Sequence, residues 1–338
     1  MISIKNLLRS GAKNPRDILA VHFGHTGTYC ARLRAGGEKP ALLAADILPP
    51  VRLPDETSMS TIPKPLIAQR VAICIPSDDV VVKLLHLPGQ LEGDVTEQVW
   101  GSLGLDREKF RMGYRTLTLP TVRNRTETKV LAVAAPEHLA QAACGIFRTG
   151  IPAPISLEAD GLAALTNFSL AVPAMHTDED IGCIISCGRV SFAAFFRKGE
   201  LLLIRKFDFG LFHLLDMMHK DLGVDHSTAR DILVNGSFDV SQMVKSAMEP
   251  FVKQLVISKH FIERRNNCHV SRMFVAVEDW MAREWMAEIK SGVGVEIVPW
   301  NPLEAVTIQS GALPPAVEPQ AVRLSVAVGA ALGLFEEN

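Results

Sequence analysis

The chain is 338 residues long, more than one small domain needs and enough for two with sizeable cores. Its 35 Lys and Arg against 37 Asp and Glu leave a formal net charge of −2, so no bulk charge points to nucleic acid or to an anionic membrane. Hydrophobic residues at 48% and charged residues at 21% exclude bulk disorder, and 6% aromatics with two Tyr argue against a base-stacking surface.

In chain order, a β-rich run at 18–23 meets a turn holding Gly24 and Gly27, a second run follows at 28–34, and Gly36-Gly37 turns the chain into a third, Ala41–Leu48, ended by Pro49-Pro50. Residues 49–65, rich in Pro, Asp, Ser and Thr, read as an exposed linker. An insertion-like module comes next: strands at 71–75 and 80–87, a helix over 93–103, strands at 114–119 and 129–135, and a helix over 136–148. The meander then returns about 164 residues after its first appearance, as strands at 181–186, 191–196 and 201–207 punctuated by Gly188 and Lys198-Gly199. Two strand–turn–strand–turn–strand units at this distance suggest a duplicated α/β architecture rather than a short-period solenoid.

Helical signals follow at Leu211–Leu222, at 227–234 behind a Ser/Thr cap, and at 244–262, where Val244, Ala247, Met248, Phe251, Leu255 and Ile262 recur near helical spacing. Lys245, Lys253, Lys259, Arg264 and Arg265 read as the solvated side of that helix. A strand at 272–277, a helix over 280–290, a strand at 295–298 and a small-residue helix over 324–334 complete the chain.

The six cysteines are scattered among apolar neighbours; Cys183 and Cys187 share a strand face, but no second close pair completes a zinc site. Buried thiols in a reducing compartment are expected. The first ten residues, MISIKNLLRS, lack the continuous apolar core of a secretory signal, and no apolar stretch reaches the roughly 18–20 residues of a membrane span. A cytoplasmic protein is expected. His22 and His25 read as turn histidines with satisfied hydrogen bonds, the acidic stretch 176–180 lacks calcium-loop spacing, and Gly24-His25-Thr26-Gly27 is no Walker loop because no Lys-Ser/Thr follows.

The order of elements resembles the actin-like ATPase superfamily, in which two related lobes clamp a nucleotide. Within it the chain most resembles the PilM family of type IV pilus assembly and, more distantly, FtsA and the cytoplasmic domain of GspL. VAICIPSDDVVVKLLHLPG (71–89) is similar to the opening of the inserted 1C subdomain. KVLAVAAPEHLAQAACGIFRTGIPAPISLEADGLAAL (129–165) is similar to the strand, Ala-Pro helix and acidic strand-to-helix connection that follow. VEIVPWNPLEAV (295–306) and SVAVGAALGL (325–334) are similar to the closing segments. The resemblance implies an α/β, two-lobed actin-like (ribonuclease H-like, duplicated) fold with an inserted 1C-type subdomain. It divides the chain into an N-terminal segment (1–14), a first lobe (15–70), the insertion (71–150), the return and inter-lobe connection (151–176), and a second lobe (177–338) with a 2B-type region at about 211–270.

Departures from the superfamily pattern bear on function. Where nucleotide-binding relatives carry Asp, this chain has His22; Gly24 and Thr26 are kept, and Tyr29 falls about where Lys is usual. A neutral imidazole is a poor substitute for a carboxylate toward Mg²⁺. In the second meander Ser186 replaces Asp, Gly188 survives, Arg189 follows, and Ser191 is the nearest hydroxyl to the phosphate-contacting position. Arg189 is either an anion ligand in the cleft or a surface ion-pair residue. In MFVAVEDWMAREW (273–285), Val277-Glu278 stands where a Gly-Gly pair admits adenosine.

These changes describe a degenerate nucleotide cleft, so the resemblance implies a pseudo-ATPase with no catalytic residue and neither ATP nor Mg²⁺ expected. Its implied role is a scaffold bound to the cytoplasmic N-terminal peptide of a PilN-like bitopic membrane protein, alongside other pilus or secretion platform proteins. That places the chain at the inner membrane only through its partners. Residues in 71–87 and 129–135 are candidates to border the peptide groove. The alternative is an active ATPase or kinase of the same fold, in which Glu158 or Asp160 would organise the metal. Oligomeric state and the machine served stay open.

Overall fold

The computed structural model describes residues 16–89, 94–117, 127–147, 150–281 and 283–336. The expected N-terminal segment 1–14 lies outside them. Two compact units form: one runs to Ala171 and resumes at Pro302, the other is Val172–Asn301.

In the first unit the glycine-punctuated meander folds as β1 (Asp17–Gly24), β2 (Gly27–Arg34) and β3 (Ala41–Leu48), each antiparallel to the next. Then β4 (Arg70–Ile75) pairs parallel with β1, and β8 (Ala153–Ala159) pairs parallel with β4. Their near-continuous apolar runs suit strands covered on both faces. With the short β14 (Thr307–Ile308), the order across the sheet is β14-β3-β2-β1-β4-β8. Strand 71–75 therefore belongs to this main sheet and does not open the insertion, because parallel pairing with β1 fixes it there.

The insertion's own sheet is β5 (Val81–Pro88), β7 (Glu127–Pro136) and β6 (Phe110–Thr116), in that order. Leu87, Val130, Ala132 and Ala134 from this sheet bury Val99 and Leu103 of α1 (Thr96–Leu103) in a small core of their own. After it come α2 (Glu137–Gly145) and α3 (Asp160–Ala171).

The last helix, α8 (Ser325–Glu336), packs on α3 within this first unit, not in the second as the expected 177–338 lobe required. Its small residues explain the placement. A Cβ at Gly329 would collide with the Ala163 carbonyl oxygen, and Asn167 Nδ2 donates to the Ser325 carbonyl at 3.0 Å. Only a bare backbone lets the helices come this close.

The second unit repeats the plan. β9 (Asp180–Cys187), β10 (Val190–Arg197) and β11 (Glu200–Phe207) form the meander, β12 (Val270–Val275) runs parallel to β9, and β13 (Glu296–Pro299) runs parallel to β12. The order β11-β10-β9-β12-β13 matches β3-β2-β1-β4-β8, as a duplication requires. Packed on it are α4 (Leu211–Leu222), α5 (His226–Asn235), α6 (Ser241–Asn266) and α7 (Arg283–Val293). The aromatic ring of Phe209 stacks on Phe251 of α6 at 4.8 Å. Lys259 departs from the expected solvated face: it is buried, and its Nζ lies 3.1 Å from Glu263. Trp280, expected to open a helix, is instead buried in the turn before α7, edge-on to Trp285.

Candidate functional site

In the first unit, register places a row of four side chains across the sheet. Tyr29 on β2 is opposite His22 on β1, His22 opposite Cys74 on β4, and Cys74 opposite Glu158 on β8. Neighbours in one row of a sheet project from the same face, so four residues distant in sequence meet there. The carboxyl ends of β1, β4 and β8 open just beyond the row, the edge at which parallel sheets commonly bind ligands.

Asp160, the first residue of α3, closes this edge. It is buried; its Oδ1 accepts from the Ser77 hydroxyl and, at 2.6 Å, from the Gly161 N–H, while Oδ2 lies 3.8 Å from His22 Nε2. His22 is therefore a buried strand residue rather than a turn histidine, and neither ring nitrogen has a hydrogen-bond partner. His25 does lie in the turn, with Nε2 at 2.9 Å from Asp78. Burial pushes the Glu158 carboxyl up to about 8, so this acid is mostly neutral at pH 7. The Cys74 thiol is likewise pushed well up, by burial first and then by the negative charges of Glu158 and Asp160.

Tyr29 fills the space beside the glycine turn. Its hydroxyl is 2.6 Å from Thr26 Oγ1, its ring stacks on His22 at 5.5 Å, and a Cβ added at Gly24 would come within 2.7 Å of Tyr29 Cε2. The glycine keeps its open surface, but the chain's own phenol occupies it and engages the turn hydroxyl.

The equivalent turn of the second unit is likewise used internally. Gly188 adopts a positive φ of 80°, and its carbonyl accepts from the Phe212 N–H at 3.1 Å; Ser191 Oγ donates to the Phe209 carbonyl at 2.6 Å. Both bonds hold the start of α4. Ser186 Oγ is buried without a partner. Of its two readings, Arg189 shows the ion pair: it is half-exposed, 3.6 Å from Asp216 and over the Phe212 ring. Val277 and Glu278 lie past the end of β12, in a turn that the Met281 N–H closes onto the Glu278 carbonyl at 3.0 Å.

Of the expected site residues, the structure thus gathers His22, Gly24, Thr26, Tyr29, Glu158 and Asp160 at one sheet edge. Ser186, Gly188, Arg189 and Ser191 gather at another, in the second unit. Ser77 and Asp78 were not anticipated; they fall between the strands expected at 71–75 and 80–87, and their pairing with Asp160 and His25 depends on β4 lying in the main sheet. Toward Mg²⁺ with a nucleotide the first edge is a poor fit: an imidazole stands beside Asp160, Asp160 already accepts two hydrogen bonds, and Tyr29 fills the turn. Among the described residues no cluster of His, Cys, Asp and Glu suits a metal ion, and no helix is long and apolar enough to cross a membrane.

No protein-family model and no curated protein matches the sequence. Solved structures do match. The PilM–PilN type IV pilus biogenesis complex aligns with a TM-score of 0.76 at 16% identity, over 95% of this chain and 99% of that one. A protein of actin-like ATPase fold and unknown function from Bacteroides thetaiotaomicron aligns at 11% identity with a TM-score of 0.47, over 91% of this chain and 96% of that one. The ethanolamine utilization protein EutJ from Carboxydothermus hydrogenoformans aligns at 12% identity with the same TM-score, over 97% and 92%. The duplicated sheet topology, the inserted subdomain and the end-to-end likeness to PilM in its complex together give the fold: a PilM-like, two-lobed actin-like α/β architecture.

Proposed function

We propose that this chain is a non-catalytic scaffold of a type IV pilus or type II secretion-like inner-membrane platform, and that it binds the cytoplasmic N-terminal peptide of a PilN-like bitopic protein. The observation that carries the reading is the likeness to PilM in the PilM–PilN complex over 95% of the chain. The topology of the insertion supports it. β7 is the central strand of the three-stranded sheet, whereas β5 is an edge whose backbone can pair with an extended peptide. Along β5 the half-buried Val82 and Leu84 alternate with exposed Lys83, the surface such a peptide would need.

The loss of nucleotide chemistry is supported by His22 where a carboxylate would stand, by an Asp160 already bonded to Ser77 and Gly161, and by Tyr29 seated on the glycine turn. Phosphoryl transfer needs charge neutralisation at the phosphates, and the first unit offers little toward it.

Calorimetry with the full chain tests both parts. A synthetic peptide copying the cytoplasmic N-terminus of a PilN-like bitopic protein from the same genome should bind, and Mg-ATP should give no heat and no phosphate release. Absence of peptide binding overturns the scaffold. Tight Mg-ATP binding, with phosphate release that disappears in Glu158→Ala, overturns the non-catalytic part and favours the ATPase or kinase alternative.

A further inference from the structure

One stripe of the 26-residue α6, from Val244 to Ile262, is buried in the second unit's core. The opposite stripe is open. Over the last turns Lys253, Ile257, Phe261, Arg264 and Arg265 are all exposed, and at 100° per residue they fall within an arc of about 120°. Ile257 is 54% exposed and Phe261 44%, one turn apart. Cations flank them: the Arg265 guanidinium lies 5.8 Å above the Phe261 ring, and Arg205, exposed on the edge strand β11, donates to Ser258 Oγ at 3.2 Å beside them.

Among the described residues Arg205, Arg264 and Arg265 make no ion pair, while Lys253 meets Glu249 at 2.6 Å. The nearby Glu263 does not neutralise the stripe, because its carboxylate is turned to Lys259 and to the Val270 N–H. A strongly basic stripe with an apolar centre therefore sits on a chain whose net charge is only −2.

Two apolar side chains are too few for the buried core of a stable protein interface, which covers about 1,000 Å² or more. They suit a lipid surface, where cations meet headgroup phosphates while short apolar groups reach the acyl boundary. We propose that this face of α6, with Arg205, is a peripheral contact for anionic phospholipid headgroups, with Ile257 and Phe261 entering the headgroup–acyl boundary. The proposal goes beyond the peptide-binding scaffold and does not depend on it.

The test uses the full chain and vesicles, with no peptide present. The chain should co-sediment with phosphatidylglycerol-containing vesicles and not with pure phosphatidylcholine, and added salt should release it. Arg264→Glu/Arg265→Glu should weaken partitioning roughly tenfold or more, and Phe261→Ser, which keeps every charge, several-fold. Both variants should stay folded, with melting lowered by a few degrees at most, since Arg264 and Arg265 are exposed and Phe261 is half-exposed. Equal sedimentation with both vesicle types, or undiminished sedimentation of the folded variants, overturns the proposal and leaves the face to a protein partner.

Discussion

His22 Nε2 lies 3.8 Å from Asp160 Oδ2, and both side chains are buried. The pair joins β1 to the start of α3 at the carboxyl-end edge of the first unit's sheet. With an imidazole at residue 22, the edge carries two buried carboxyl groups, Glu158 and Asp160. His22→Asp should therefore crowd a third carboxyl group against Asp160 and Glu158. A loss of about 2–4 kcal/mol is expected, shrinking toward acid pH as the carboxyls take up protons. His22→Asn, similar in polarity but uncharged, should lose less. Urea unfolding of both variants measures the difference, and equal losses at every pH would remove the charge argument.

Glu158 gives a pH signature. Burial raises its carboxyl from 4.5 to about 8, so the folded chain keeps a proton that the unfolded chain has released. Stability must then fall as pH rises between those two values and stay flat outside them. Glu158→Gln has no proton to lose. It should match the parent near pH 4.5 and exceed it above pH 8, by on the order of a few kcal/mol. Denaturant midpoints at the two ends of the window decide it; a gap that does not widen with pH would mean the acid is not held neutral.

The duplication was legible because glycine turns punctuate both meanders at similar spacing, and local turn chemistry survives in sequence. Partnership between distant strands was not. The run 71–75 is apolar whether it opens an insertion or lies parallel to β1, and only register distinguishes the two. The same limit hid Ser77, whose bond to Asp160 spans 83 residues. Lys259 was misread for another reason: a Lys among other cations on a helix is most simply solvated, and nothing local shows that this one is covered with Glu263 as its partner.

That covered pair carries its own prediction. Burial alone would push the Glu263 carboxyl up, but hydrogen bonds from Lys259 and from the Val270 N–H, with the nearby Lys259 charge, hold it below the usual range. A carboxylate so depressed contributes stability that is present above about pH 4.5 and fades as pH falls through its lowered value. Lys259→Ala should cost roughly 2 kcal/mol at neutral pH by removing the cation from Glu263, which keeps the Val270 N–H and the exposed His269 ring beside it, and Lys259→Met/Glu263→Gln should recover much of it. A double variant as unstable as the single one would show that packing, not charge, is what Lys259 supplies.

The contact between α3 and α8 tests backbone proximity. In an isolated helix Gly329→Ala would gain about 1 kcal/mol of propensity. Here the new methyl meets the Ala163 carbonyl, a backbone atom that no rotamer change can move. Collision should outweigh propensity, with a net loss of about 2–4 kcal/mol in urea unfolding. A neutral or stabilising result would place the helices farther apart.

Tyr29 decides whether the glycine turn of the first unit keeps any affinity for anions. Its hydroxyl engages Thr26 Oγ1 at 2.6 Å, and its ring covers Gly24. Tyr29→Phe removes only that hydrogen bond and should cost about 1 kcal/mol. Tyr29→Ala removes the ring as well and should cost about 3–5 kcal/mol through the cavity it leaves. The same truncation uncovers the Thr26 hydroxyl and the turn backbone, the kind of groups that bind phosphate oxygens in tight turns. Pyrophosphate should therefore raise the melting temperature of Tyr29→Ala while leaving the parent and Tyr29→Phe unmoved, and Thr26→Val in the Tyr29→Ala background should diminish the response. If pyrophosphate stabilises the parent equally, Tyr29 does not block the turn; if it stabilises none of the variants, the turn has no affinity for phosphate groups.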